Sequence, residues 1–371
     1  MAIGKVEVNN LNLGQGTPPE IERHLLFIGK TTKAELQGQV TRINAMTDLD
    51  DVLGDDSLGA NVKAAQLNGK QNWTAAIYGL ADDASWEDAI DHANETDSFE
   101  GIALCDVTTD KGDFDAMQAK AESLTSKLGR WVYMLAATPG IDKESQTWAE
   151  YETAMIMLTK DVAARWVTPV PMLNGNNIGV LAGRLCDRMV TVADTPMRVA
   201  TGSVLSLGDM PTDSAGRSLA MSTIATLAEA RFSVPQWYAD YEGVYWSDAT
   251  TLETKTGDYQ FLEYVRPVHK ANRRVRFKAI ARIADRILNS TPQSIELNRS
   301  YFRKVLFDMS ETTEIGGITF PGEIMTPRDE DVTIQWISKT KVIISIMMKP
   351  HNCPKHIVVN IALDLSNGTE A

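Results

Sequence analysis

The chain has 371 residues, 43% of them hydrophobic and 23% charged, with a formal net charge of -13. That length allows two domains and a large core, and no apolar run approaches the ~20 residues of a membrane-spanning helix. The acidic balance excludes general affinity for nucleic acid or for an anionic membrane unless positive charge is concentrated locally.

The opening M-A-I-G-K-V-E-V-N-N has neither the basic nor the apolar region of a secretory signal, so cytoplasmic synthesis is expected. Val6, Val8, Leu11 and Leu13 alternate with polar neighbours and predict an extended, strand-like arm over residues 1–20, bounded by Gly14, Gly16, Pro18 and Pro19. No local segment is suited to pair with it.

Residues 21–265 read as an α/β domain with a mostly parallel sheet. Leu25 to Ile28 forms a short buried strand. Thr47 and Asp48 open a capped helix whose acidic run, Asp48 to Asp56, is a solvated helix face. Trp73, Ala75 and Ile77 alternate as a strand, and Ile102 to Val107 is an apolar run of strand length. Phe114, Met117, Ala121, Leu124 and Leu128 follow at helical spacing, then Trp131 to Ala136 as a strand. A helix from about Gln146 to Leu158 leads into the strand Trp166 to Val170, completing the alternation typical of parallel sheets. Further helices are predicted over Ile178 to Met189 and Ala215 to Ala230, the latter leading to an edge strand ending near Trp246.

From Arg266 the pattern changes, and residues 266–355 read as an α+β domain. Its first helix places Val275, Ala279, Ile283 and Ile287 on one face and Lys278, Arg282 and Arg286, at i, i+4 and i+8, on another. This cationic stripe suits an acidic protein surface better than nucleic acid, because no aromatic residues interleave it and the whole chain is acidic. Val332, Ile334 and Trp336 alternate as one strand of a pair, and Lys341 to Met348, carrying Val342, Ile344 and Ile346, forms the other. Residues 356–371 close the chain as a second strand-like arm in which Ile357, Val359, Ile361, Leu363 and Leu365 alternate.

The three cysteines, Cys105, Cys186 and Cys353, are widely spaced and odd in number, and are expected to be reduced thiols. His351, Cys353 and His356 offer metal-ligating side chains, but Pro350 and Pro354 place them in a turn with no fourth ligand nearby. The acidic run lacks the ligand spacing of a calcium loop. Gly14 and Gly16 form a G-x-G without the third glycine of a dinucleotide site, and no P-loop, G-x-S-x-G or H-E-x-x-H is present. A catalytic triad would have to recruit His24, His92 or His269 from unrelated contexts. No cofactor, metal or catalytic residue is therefore expected. The competing expectation is a soluble α/β enzyme, possibly nucleotide-binding, whose site no motif marks.

The layout resembles the contractile phage tail sheath proteins and those of related injection devices. F-E-G-I-A-L-C-D-V, the helix after it and G-R-W-V-Y-M-L-A-A-T-P-G resemble the family's core strand, helix and strand. Ala182-Gly183-Arg184, Asp187-Arg188 and Ala193-Asp194-Thr195-Pro196 resemble its helix-and-proline passage, and Val265 to Ile287 its basic helix. The paired-proline motif is Pro169-Val170-Pro171 here, and there is little room for outer decorations. The resemblance implies a non-enzymatic subunit of the virion tail, assembled in the host cytoplasm into hexameric rings. It implies that Val6, Val8, Leu11, Leu13, Ile357, Val359, Ile361 and Leu363 are exchanged between subunits. It further implies that Val342, Ile344 and Ile346 belong to the receiving strand, and that Lys278, Arg282 and Arg286 face a tail tube. Baseplate and tail terminator proteins are the other implied partners, with no nucleic acid or membrane insertion.

Overall fold

A computed structural model describes residues 21–363. The arm residues Val6, Val8, Leu11 and Leu13, and Leu365 of the tail, lie outside them. Two compact units are present: one runs to Asp285 and includes Ile315–Ile318, the other comprises Arg286–Glu314 and the residues from Thr319 onwards.

In the first unit, chain order is β1 (His24–Lys30), β2 (Val40–Asn44), α1 (Leu49–Val52), α2 (Ser57–Gly69), β3 (Thr74–Leu80), α3 (Trp86–Thr96), β4 (Gly101–Leu104), α4 (Lys111–Leu128), β5 (Tyr133–Thr138), α5 (Trp148–Thr159) and β6 (Val167–Pro171). Next come α6 (Asn177–Cys186), α7 (Met221–Glu229), a hairpin of β7 (Pro235–Tyr238) and β8 (Tyr241–Trp246), and α8 (Leu262–Ile280). Six strands form one sheet in the order β2-β3-β1-β4-β5-β6. All neighbours in it are parallel except β2, which runs antiparallel to β3.

Alternation divides the sheet into two faces. Leu26, Ile28, Ala76, Tyr78, Ile102 and Met134 pack on one side with Ile90 of α3, Phe114 of α4, Tyr151 of α5 and Leu227 of α7. Leu25, Phe27, Ile77, Ala103 and Leu135 pack on the other with Val62 of α2, Leu181 of α6 and Val265 of α8. Burial on both faces explains why the strands read as unbroken apolar runs. Helix limits are set chemically. Thr147 and Glu150 form a capping box that starts α5, and Gly129, at φ 63°, ends α4 in the left-handed conformation that favours glycine.

Several expectations need correcting. The acidic run is not one helix face: α1 is only four residues long, with Asp48 as its N-cap, and Asp56 caps α2 by accepting the Gly59 N–H at 2.8 Å. Leu53, in extended conformation, separates the two helices. The segment after α7 is a separate antiparallel hairpin rather than an edge strand of the main sheet, turned at Asp240 with φ 59°. Helix α8 belongs to the first compact unit, which runs to Asp285. The reason is burial: Leu262 and Val265 complete the core, and Arg266 and Arg273 reach acids of the α/β unit.

The second unit contains α9 (Pro292–Ser310) and the antiparallel pair β11 (Val332–Ser338) and β12 (Lys341–Ile346). Between them in chain order lie the short strands β9 (Thr313–Ile315) and β10 (Ile318–Phe320). Thr291 caps α9 by accepting the Ser294 N–H, with Pro292 in the first turn, where its missing N–H costs nothing. Asn298, Phe302, Val305, Leu306 and Met309 form the buried stripe of α9.

Candidate assembly surfaces

The β11–β12 pair is built on α9. Arg299 of that helix donates to the carbonyls of Val332 (3.0 Å) and Asp329 (2.6 Å), fixing the start of β11. Across the pair, Val332 faces Ile346, Ile334 faces Ile344 and Trp336 faces Val342, so one face is wholly apolar. Ile337 and Ile343 stand exposed on the strands as well. Among the described residues no third strand joins either outer edge. A two-stranded sheet is marginal by itself, and its unused edges are templates for further strands.

Residues 357–363 form no strand and are exposed throughout, because no described strand pairs with them. A strand needs a partner to satisfy its backbone groups. Ile357, Val359, Ile361 and Leu363 are instead 70–93% exposed. That much apolar surface on one short segment suits an interaction site rather than a finished surface.

The cationic stripe does not form. Helix α8 ends at Ile280; Arg282 and Ile283 then bond back only three residues, and Ala284 takes φ 59°. Ile283 and Ile287, predicted to carry the apolar face onward, are 74% and 52% exposed, so no packing supports a longer helix. Lys278 stays on the helix; Arg282 pairs with Asp285 at 2.9 Å, and Arg286 lies past the end, exposed.

His351, Cys353 and His356 are all exposed, and among the described residues no group of three or more His, Cys, Asp or Glu is arranged to hold a metal ion. His24 contacts Thr74, His92 the Tyr78 hydroxyl, and His269 packs on Trp166, so these three are not brought together. A cleft of about 560 Å³ beside α7 is lined in part by Ile224, Arg231, Asp248 and Phe261. Its Arg231 guanidinium donates to the carbonyls of Thr159, Val162, Leu252 and Glu253. That is a scaffold role.

Sequence reasoning missed the buried charges around α8. Arg266 Nε lies 2.7 Å from Glu100 Oε1 and its Nη2 3.0 Å from Oε2, with both side chains almost fully buried. Arg273 Nη2 lies 2.8 Å from Glu22 Oε1, and its Nη1 donates to the Trp131 carbonyl at 2.9 Å. Burial alone would raise both carboxyls, but the charge and hydrogen bonds of Arg273 on Glu22, and of Arg266 on Glu100, outweigh it and hold both below the ordinary value. The available signal was two arginines seven residues apart, hence on one face, beside the buried Leu262 and Val265. Burial also pushes the Cys186 thiol up to about 12 and Cys105 well above its ordinary value, leaving both unreactive.

The first unit is doubly wound, and the second carries a two-stranded sheet and an exposed apolar tail. The chain's fold is that of contractile sheath subunits. It matches a chain of an extracellular contractile injection system, the PVC sheath complex in its contracted state, with TM-score 0.61, 14% identity and 98% of each chain covered. It also matches a chain of the anti-feeding prophage baseplate, with TM-score 0.57, 14% identity and coverage of 98% of this chain and 100% of that one. The chain belongs to the contractile phage tail sheath family: models of the DUF2586 N-terminal and C-terminal domains match residues 3–250 and 258–366, and the "Putative tail sheath protein" of Haemophilus phage HP1 (strain HP1c1) is 43% identical over 371 residues, 98% of each chain. It is thus a structural, contractile-sheath component of a virion tail.

Proposed function

We propose that this subunit is linked to its neighbours by exchanged terminal strands. The tail residues Ile357, Val359, Ile361 and Leu363, and the N-terminal residues Val6, Val8, Leu11 and Leu13, add to the β11–β12 sheet of adjacent copies, with Val342, Ile344 and Ile346 in the receiving strand. The observation carrying this reading is that, among the described residues, no third strand joins the edges of the pair while Ile361, in the same unit, is 93% exposed. Strand addition satisfies both at once, with backbone hydrogen bonds supplying affinity and alternate side chains supplying register.

Copies joined in this way form hexameric rings stacked around a tail tube, with a closed symmetry within each ring and an open helical relation between rings. Assembly takes place in the host cytoplasm, and the sheath ends on baseplate and tail terminator proteins. The fold's likeness to chains of a sheath complex and of a baseplate supports the self-association and the baseplate contact. Lys278, Arg282 and Arg286 meet acidic residues of the tube, now as separate cations around the end of α8. On contraction the strand links persist while subunits move, so shortening drives the tube through the target envelope.

Negative-stain electron microscopy of the full-length chain, beside the chain lacking residues 357–371, tests this. Striated cylinders formed only by the full-length protein are the expected result. Cylinders formed equally well by the truncated chain overturn the exchange.

A further inference from the structure

The buried charges on α8 lie at the point where the N-terminal segment enters the fold. Glu22 and Arg23 immediately precede β1, the strand that β3 and β4 flank in the main sheet. Glu22 is held by Arg273 as described. Arg23 is held through its backbone, whose N–H donates to Glu100 Oε2 at 2.6 Å while Arg266 grips the same carboxylate. Its side chain also donates to the Val190 carbonyl at 2.7 Å. Arg266 and Arg273 are two helical turns apart, about 10 Å along one face of α8. Consecutive residues of the entering chain are therefore tied to one helix at two levels.

The backbone at Arg23 has φ 68°, a left-handed conformation that costs a non-glycine residue free energy. The His24 N–H closes a tight bend by donating to the Ile21 carbonyl at 3.1 Å, and the bond from the Arg23 N–H to the doubly engaged Glu100 braces it. A pull on the residues before Ile21 meets this bend and the ion pairs before it meets the hydrogen bonds of β1.

We propose that the Glu22–Arg273 and Glu100–Arg266 pairs form a tension clamp, routing force from the N-terminal segment into α8 and sparing the central strand. The clamp rests on the reading that this segment is linked to a neighbouring copy and so carries load during contraction. Ion pairs shielded from water suit the task, because rupture must expose a charge to an apolar surrounding before solvent can reach it.

Single-molecule force spectroscopy on the full-length chain tests this, with Cys353→Ser and an Ala284→Cys handle just past α8, pulled against the N-terminus. A control geometry pulls Lys143→Cys against Ala284→Cys. The test variant is Glu22→Leu with Arg273→Met, which removes both charges together and strands neither. Its lifetime at fixed force should shorten by about tenfold or more when pulled from the N-terminus, equivalent to about 1.4 kcal/mol of barrier, with little change in the control geometry. Arg273→Lys keeps the charge but loses the fork that also binds the Trp131 carbonyl, and should give an intermediate lifetime even if the double variant fails to fold. Unchanged lifetimes in folded variants, or equal shortening in both geometries, overturn the clamp. Neither result depends on polymerisation, so failure of strand exchange is seen separately by microscopy.

Discussion

The side-chain oxygen of Asn61 accepts the backbone N–H of Gly179 at 2.9 Å, joining α2 to the first turn of α6 across 118 residues of chain. The helices approach so closely that a Cβ on Gly179 would lie 2.0 Å from the Asn61 carbonyl oxygen, and one on Gly183 2.4 Å from that of Ala65. Both obstacles are backbone and cannot rotate away. Gly183→Ala should therefore destabilise the chain by about 1–3 kcal/mol, the usual cost of overpacking, despite alanine's better helix propensity. Urea denaturation measures this; a midpoint equal to or above wild type would refute the close contact.

His269 supplies a pH dependence. It is 1% exposed, and neither ring nitrogen has a hydrogen-bond partner among the described residues. Burial, with Arg273 and Arg165 nearby, holds its pKa well below the ordinary value. The unfolded chain therefore binds this proton first as the solution is acidified, and stability falls as pH drops below about 6.5, by up to about 1.4 kcal/mol per pH unit. Glu22 and Glu100 add to the loss at lower pH: their folded pKa values are depressed, so their contribution is complete above the ordinary carboxylate range and fades through it. His269→Phe should reduce the loss between pH 6.5 and 5, leaving the part contributed by His24, whose pKa burial also lowers, and the steeper acid limb. Thermal melts of both proteins across that range decide the matter; identical slopes would reject the histidine.

Ile361→Asp with Leu363→Asp probes the tail without touching the core. Both side chains are largely exposed, so thermal stability of the subunit should shift by less than about 0.5 kcal/mol. Cylinder formation should be lost, as sedimentation would show. A variant that polymerises normally would remove these residues from any exchanged strand.

Reversing Lys278, Arg282 and Arg286 to Glu should impair assembly on tubes while leaving the fold intact. Arg282→Glu alone should be the weakest single change for tube binding, since its charge is already opposed by Asp285. Co-sedimentation with tubes at low and high salt measures this, and the wild-type interaction should weaken with salt. Normal tube-guided assembly by the triple variant would count against a tube-facing role.

The sheet was legible in the sequence because its strands are buried on both faces: Leu25 to Ile28 and Trp131 to Ala136 are apolar regardless of register. Helices α4 and α5 announced themselves by periodicity. Strand β2 and helix α3 were not identified, because V-T-R-I-N and W-E-D-A-I-D-H-A-N-E-T carry too few apolar residues to stand out. Arg282 and Arg286 kept helical spacing in sequence, but Ile283 and Ile287 found no surface to bury against, and tertiary packing decides where such a helix ends. The Glu22–Arg273 pair joins residues 251 positions apart, a relationship that no local pattern encodes.

The prolines of β6 have a consequence for where copies of this chain join. Met172 donates its N–H to β5, and Met134 of β5 donates to the Trp166 carbonyl, so even-numbered residues face that neighbour. Pro169 and Pro171 therefore point outward, where their lack of an N–H removes two donors from the rim of the main sheet. What remains on that side is already taken: the carbonyls of Val167 and Pro169 accept the N–H groups of Leu252 and Ser233. A strand arriving there finds almost nothing to bind. Two imino acids thus close this rim of the main sheet to strand addition by chemistry rather than by bulk.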